Sequence, residues 1–266
     1  MFDKQLLTEV CALVQEVGAY QLRCFRTLPS HHGDEKAARE FVSEVDIRSE
    51  ERLICGLQRL LPEAGFYAEE SGEQGEEKLR WIIDPLDGTT NFLSGLEQFS
   101  ISVALQLNGR SELGVVYRPA SAECFSALRR AGLTHRGQPC QQLSDRPLQQ
   151  ALIGTGFPYR SVDLADFFFP CARDILYRCR GIRRFGSAAL DLSYVAAGFL
   201  QGFWESDLQP YDVAAAMLFL DESGCVLTNQ RGERYSPWRD RILVCAPAVV
   251  HRELLPLVAA HYPQNI

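Results

Sequence analysis

The stretch Trp81-Ile82-Ile83-Asp84-Pro85-Leu86-Asp87-Gly88-Thr89-Thr90-Asn91-Phe92 constrains this chain more than any other. Its three leading apolar residues fit a short buried strand, expected to end abruptly at Asp84-Pro85. Such a strand delivers two carboxylates, Asp84 and Asp87, with Pro85 fixing the turn between them. Gly88 and two threonines follow, and residues 91–98 are expected to begin a helix. Hard divalent cations need several rigidly held oxygen ligands, which strand-end aspartates supply. The amides of Gly88, Thr89 and Thr90, at a helix N-terminus, suit a phosphate group. Thr89 would also orient or deprotonate a metal-bound water. The competing reading is a pair of turns, Asp-Pro and Asp-Gly, with threonine as a cap.

Further acids are candidates for the same constellation. Glu69-Glu70 closes Phe66-Tyr67-Ala68-Glu69-Glu70-Ser71, just before a Gly- and Glu-rich loop, and adjacent glutamates are also what a solvated surface carries. Asp212 stands between Pro210-Tyr211 and an alanine-rich helix, where it also reads as an ordinary helix N-cap. Asp46 has the same ambiguity, because Ser43-x-x-Asp46 resembles a capping pattern. It is assigned either an outer role at the site or a purely structural one.

The rest of the chain sets the frame. Helical spacing of Leu6, Leu7, Val10, Leu13, Val14, Val17 and Cys24 predicts a first helix. A polar loop or hairpin is expected over residues 30–40. A second helix is expected from 46 to 61, with Leu53, Ile54, Leu57 and Leu60 inward and Pro62 as its stop. Residues 100–107, 113–117 and 123–128 read as an antiparallel meander broken at Gly109 and Pro119. The second half alternates: strands at 152–154, 182–185, 202–205, 225–228 and 242–245, and helices at 164–177, 187–197, 212–223 and 249–261. Such mixing implies layered α and β structure. With 266 residues, the chain is read as one domain over 1–266, with sub-domains of about 1–148 and 149–266.

Composition narrows the class. Net charge is −7, and the isoelectric point is near 5.3. That balance argues against a nucleic-acid backbone or an anionic membrane recruited by bulk charge. A phosphorylated substrate is compatible if cations screen the site. Nine scattered cysteines without a CxxC pair read as reduced thiols, so a cytoplasmic location is expected. No apolar run reaches the ~20 residues of a membrane span. The five histidines show no ligand spacing. Trp81, Phe167-Phe168-Phe169 and Phe199 read as core or dimer interface. Arg183-Arg184 reads as an interface or phosphate-proximal patch, or as a solvated strand end.

DPLDGTTNF, the upstream AEES, and the downstream GSAALDLSYVAAG and WESDLQPYDVAAA together resemble the inositol monophosphatase family, in its order and spacing. The segment Thr155-Gly156-Phe157-Pro158-Tyr159-Arg160 resembles the family's bacterial branch. The resemblance implies an αβαβα sandwich, usually dimeric, and Mg²⁺-dependent hydrolysis of phosphate monoesters, often Li⁺-inhibited, on two or three ions. By position it implies metal ligands at Glu69, Asp84, Asp87, Asp212 and the Leu86 carbonyl. It assigns water activation to Thr89 assisted by Glu69, and the phosphate cradle to the Gly88 and Thr89 amides. Contacts to substrate hydroxyls fall on Asp87, Ser187, Ala188, Glu205 and Asp212. Glu205, alternatively a surface carboxylate at a strand end, would accept polyol hydroxyls and disfavour a second phosphate. Inositol 1-phosphate is therefore the expected substrate. The alternatives are fructose 1,6-bisphosphate, histidinol phosphate, 3′-phosphoadenosine 5′-phosphate, or a regulatory binding role on this scaffold. The chain departs from the family pattern at Tyr211, where tryptophan is common, at Ser43, where threonine is, and in its mobile loop, where Glu35 takes the lysine spacing and Lys36 lies beside it.

Overall fold

The computed structural model describes residues 2–27, 34–37, 40–141, 143 and 146–265, with the backbone alone over 34–37 and 40–42. Helix α1 (Lys4–Cys24) begins on Asp3, whose carboxylate accepts from Leu6 N. A hairpin of β1 (Asp34–Ala37) and β2 (Glu40–Val42) follows, and the remainder of the polar 30–40 loop lies outside the described residues. Helix α2 (Glu44–Leu60) starts at a capping box in which Ser43 and Asp46 bond reciprocally. It buries Leu53 and Leu57, as its periodicity predicts, and ends before Pro62.

The first sheet has eight strands. After β3 (Gly65–Ala68) and β4 (Gly72–Gln74) comes β5 (Leu79–Asp87), then the short helix α3 (Thr89–Leu93). The meander is β6 (Ser100–Leu107), β7 (Arg110–Arg118) and β8 (Glu123–Leu128), extended by β9 (Leu133–His135) and β10 (Gln138–Pro139). The order is β10-β9-β8-β7-β6-β5-β3-β4, with β3 and β5 parallel and the other pairs antiparallel. Strand β5 does not stop at Asp84-Pro85. It continues to Asp87 through an irregularity in its pairing with β6, where Pro85 cannot donate to the ladder. The helix expected over 91–98 lasts only the five residues of α3.

The second sheet begins with β11 (Leu152–Thr155), then α4 (Ala165–Leu176), β12 (Gly181–Arg183) and α5 (Ala188–Ala196). The chain closes with β13 (Gly202–Ser206), α6 (Pro210–Glu222), β14 (Val226–Thr228), β15 (Ile242–Ala246) and α7 (Ala248–His261). The order is β12-β11-β13-β15-β14, with β11 parallel to both neighbours. Strand β12 is shorter than expected, because the chain turns away after Arg183 into Gly186 at φ +90°.

Period-two alternation sorts the sheet side chains into three main cores, beside a smaller cluster of Val45, Leu86, Phe92 and Phe99, and stacks five layers. Trp81 and Ile83 of β5, with Ile101, Val103 and Leu105 of β6, pack against α1 and α2. On the opposite face, Ile82, Ala104 and Val116 meet α5 and α6, which also cover Phe203 and Leu243 of the second sheet. Trp204 and Val244 point the other way, onto α4 and α7. The layers run α1/α2, first sheet, α5/α6, second sheet, α4/α7, an αβαβα sandwich. Among the described residues, no helix is long and apolar enough to cross a membrane. Trp81 and Phe168 are core residues, whereas Phe169 and Phe199 are more than half exposed.

Candidate active site

The ends of β5, β3 and β13 and the first turns of α3, α5 and α6 enclose a cavity of about 330 Å³. Its walls include all ten positions assigned above: Glu69, Asp84, Leu86, Asp87, Gly88, Thr89, Ser187, Ala188, Glu205 and Asp212. Carboxylate oxygens of Asp84, Asp87 and Asp212, all buried, lie within 4.8 Å of one another.

Local structure aims each group. The β5 irregularity puts Asp84 and Asp87 on one side of the strand's end, and Leu86 N donates to Asp84 Oδ1 at 3.0 Å. Asp87 Oδ2 accepts from Ser187 Oγ at 2.6 Å and from Ala189 N at 2.8 Å, so the start of α5 holds it. Ser187 is itself fully buried, with its hydroxyl 3.0 Å from Ser100 Oγ. Asp212 is not an N-cap. It is the third residue of α6, and its Oδ2 accepts from Gln209 N at 2.7 Å. The helix begins earlier than expected because Pro210, lacking an amide proton, suits its first position. Glu69 follows β3, with its amide bonded to Ile83 O at 3.1 Å. Gly88 sits at φ +96°, and a Cβ there would fall 2.9 Å from Gln98 O, so only glycine fits between β5 and α3.

Asp46 makes contacts in both of the directions considered for it. One oxygen caps α2, and the other lies 2.7 Å from the Thr89 hydroxyl. Thr89 Oγ1 is also 3.1 Å from the Leu86 carbonyl.

Three contributors, Glu50, Arg160 and Asp191, carry no assignment in the sequence reading, and a fourth, Arg184, was read there only together with Arg183. Glu50, one turn after Asp46 on α2, accepts from the amides of Glu70 and Ser71 at 2.8 Å each, tying down the turn that carries Glu69. Arg160 and Arg184 line the cavity, Arg160 Nη1 lying 3.6 Å from Asp212 Oδ2 and Arg184 over the Phe157 and Tyr159 rings. Arg183 and Arg184 are both exposed, and of the two only Arg184 lines the cavity. Asp191 of α5 also faces the cavity, with Oδ1 buried and without a hydrogen-bond partner among the described residues. It stood inside the GSAALDLSYVAAG string, where helical spacing from Ser187 put it on the same face.

Crowding of like charges sets the electrostatics. Burial, then the charges of Glu69, Asp87 and Asp212, push the Asp84 carboxyl well above the usual carboxylate range. Burial and Asp212 raise Asp87 to about 7, against the hydrogen bonds from Ser187 and Ala189. Burial and Asp212 raise Glu205 to about 8, partly offset by Arg184. Burial and Glu205 raise Asp191 strongly. Seven acidic side chains and two arginines line one cavity. An all-oxygen donor set of this density fits a hard divalent cation, which would relieve the repulsion that raises these acids.

The sequence matches the inositol monophosphatase family over residues 3–266. It is 36% identical over 228 residues to the Nus factor SuhB of Escherichia coli (strain K12), covering 85% of each chain. The solved extragenic suppressor protein suhB of Bartonella henselae superposes with a TM-score of 0.90 at 32% identity, over 96% of this chain and 98% of that one. The IMPase of Thermotoga maritima superposes with a TM-score of 0.86 at 28% identity, over 94% and 95%. The chain therefore belongs to the inositol monophosphatase family.

Proposed function

We propose that this protein is a divalent-cation-dependent phosphate monoester hydrolase acting on inositol 1-phosphate, with Mg²⁺ as its cation and a homodimer as its working form. The observation that carries the reading is the convergence of Asp84, Asp87 and Asp212 beside Thr89. Glu69, the three aspartates and the Leu86 carbonyl are the groups that would hold two to three ions. When bound, these ions neutralise the phosphate and lower the pKa of a water.

The chain's own residues account for the remainder. The Thr89 hydroxyl proton has its acceptor in Asp46, which leaves the Thr89 oxygen to accept from the attacking water and orient it. Glu69 would take up the other proton of that water, the one not directed at Thr89. The Gly88 and Thr89 amides bind the phosphate. Glu205, raised to about 8 by burial and Asp212 in the metal-free site, accepts from a polyol hydroxyl beside Ala188 once cations offset the neighbouring charges. Ser187 acts by orienting Asp87. The inositol assignment rests on Glu205 and on the IMPase relatives. A second reading follows from the SuhB relatives, which are named Nus factors: a regulatory binding role on the same scaffold.

Phosphate release from inositol 1-phosphate, fructose 1,6-bisphosphate, histidinol phosphate and 3′-phosphoadenosine 5′-phosphate, with Mg²⁺ or EDTA, separates these readings. The expected outcome is Mg²⁺-dependent preference for inositol 1-phosphate, inhibited by Li⁺ and lost in Asp87→Asn. Preference for a bisphosphate would overturn the Glu205 argument. Inactivity on all four, with Asp87→Asn still capturing a partner from lysate, would favour the binding role.

A further inference from the structure

A second cleft, of about 700 Å³, lies toward the other end of α6 from Asp212. At ~1.5 Å per residue, the cleft's lining on α6, from Met217 to Glu222, runs from about 7.5 to about 15 Å from Asp212 along the helix axis. No residue lines both cavities. The chemistry is also reversed. Arg110, Arg129, Arg130 and Arg234 outnumber Asp221 and Glu222, in a chain whose net charge is −7. Arg129 is committed: its Nε donates to Ser111 O at 2.8 Å, and its Nη1 lies 3.4 Å from Asp221 Oδ2. Arg234 also pairs with Asp221. The guanidinium groups of Arg110 and Arg130 have no carboxylate partner among the described residues, and both residues are exposed.

The cleft is built rather than incidental. The pairing of β6 with β7 slips between Leu105 and Gln106, leaving Glu112 as an extra residue beside it, and such bulges re-aim the side chains next to them. Arg130 stands at φ +67°, a region non-glycine residues keep only when their surroundings hold them there. Here the holder is Glu222 of α6, which accepts from Arg130 N at 2.8 Å and from Gly132 N at 2.9 Å. One buried polar atom of the lining, Gln106 Oε1, has no hydrogen-bond partner among the described residues, although buried polar atoms are nearly always paired. Trp238 completes the rim at 46% exposure, with Arg80 lying 4.8 Å over its ring.

We propose that this cleft binds a small phosphate-bearing anion that carries a planar ring, with the phosphate at Arg110 and Arg130 and the ring against Trp238. Guanidinium groups match phosphate oxygens in pairs. The part of the Trp238 indole left exposed beside Arg80 and Tyr67 is a stacking surface, and the Gln106 carboxamide suits the hydrogen-bonding edge of the ring.

Quenching of tryptophan emission by a bound ring reports on this site, because Trp81 and Trp204 are fully buried and only Trp238, of the three, can be touched by a ligand. Adenosine 5′-monophosphate, titrated into the EDTA-treated full chain, is expected to quench the emission saturably, with matching heat in calorimetry. An Arg110→Ser/Arg130→Ser variant, altered only at exposed side chains, is expected to bind about tenfold or more weakly. Asp87→Asn should bind as the wild type does. Trp238→Phe should retain the heat and lose the quenching. Inorganic phosphate is expected to bind more weakly than the nucleotide, without quenching, and adenosine more weakly still. Unsaturated titration to ~1 mM, or affinity unchanged in the double arginine variant, would overturn the proposal. So would affinity lost in Asp87→Asn, which would place the anion in the carboxylate cavity. Inorganic phosphate matching the nucleotide would overturn the assignment of the ring to Trp238.

Discussion

At the scale of single residues, one missing side chain sets the shape of the candidate site. A Cβ on Gly156 would fall 1.8 Å from Glu205 Oε1, so glycine there leaves the space that the carboxylate occupies. The obstructed group is the free end of a side chain, so alanine should move Glu205 rather than unfold the protein. Gly156→Ala is expected to lower kcat/KM on inositol 1-phosphate by roughly tenfold to a hundredfold, as misplacement of a substrate contact does. Glu205→Ala should fall in the same range, and the double variant should be little worse than either, because both changes remove one contact. Additive losses in that cycle would mean that Gly156 acts by another route. Gly156 was legible only as part of a bacterial motif, since its neighbour Glu205 lies 49 positions further along the chain.

Among the elements, α2 does more than cover the first sheet. Asp46 and Glu50 are four residues apart, hence on one helical face, and each reaches a different part of the site: Asp46 the Thr89 hydroxyl, Glu50 the turn after β3. Amphipathic periodicity predicted the helix and its buried leucines but said nothing of this polar face, because charged residues opposite a core read as solvated. Glu50 is 97% buried, and its two amide bonds are charge-assisted. Glu50→Gln keeps the shape and loses the charge, so it is expected to cost about 1.5–3 kcal/mol in denaturant unfolding. Because the turn bears Glu69, half-maximal activity should also require more Mg²⁺. Unchanged stability together with an unchanged Mg²⁺ requirement would show that the turn holds its place without Glu50.

For the whole molecule, the crowded acids couple stability to pH and to cations. Asp87 and Glu205 hold protons in the folded chain up to about 7 and about 8. The same side chains release them near ~4 when unfolded. Between those limits the folded state binds more protons than the unfolded one, so metal-free stability should fall as pH rises from ~4 to ~8. Cations take the place of those protons, so Mg²⁺ should restore most stability at the upper end, by about 2.7 kcal/mol at a hundred times its Kd. Thermal unfolding across that range, with EDTA and with Mg²⁺, checks the sign. A metal-free midpoint that rises toward pH 8 would contradict it. Asp87→Asn should flatten the pH dependence and shrink the Mg²⁺ response.

Local terms were readable from the residues: helices and strands through periodicity, Asp84 and Asp87 through a strand and a proline, and kinship through four separated strings. The sequence carried this far because those signals are short-range, set by steric limits within a few residues. The tertiary structure alone decided that Asp212 stands within 4.8 Å of two aspartates more than a hundred positions earlier. It likewise decided that Ser187 restrains Asp87, that Asp46 bonds Thr89, and that Arg160, Arg184 and Asp191 share their cavity. Those relations depend on how α2, α5 and α6 pack against β5 and β13, and no local propensity encodes the distance between elements joined only by burial.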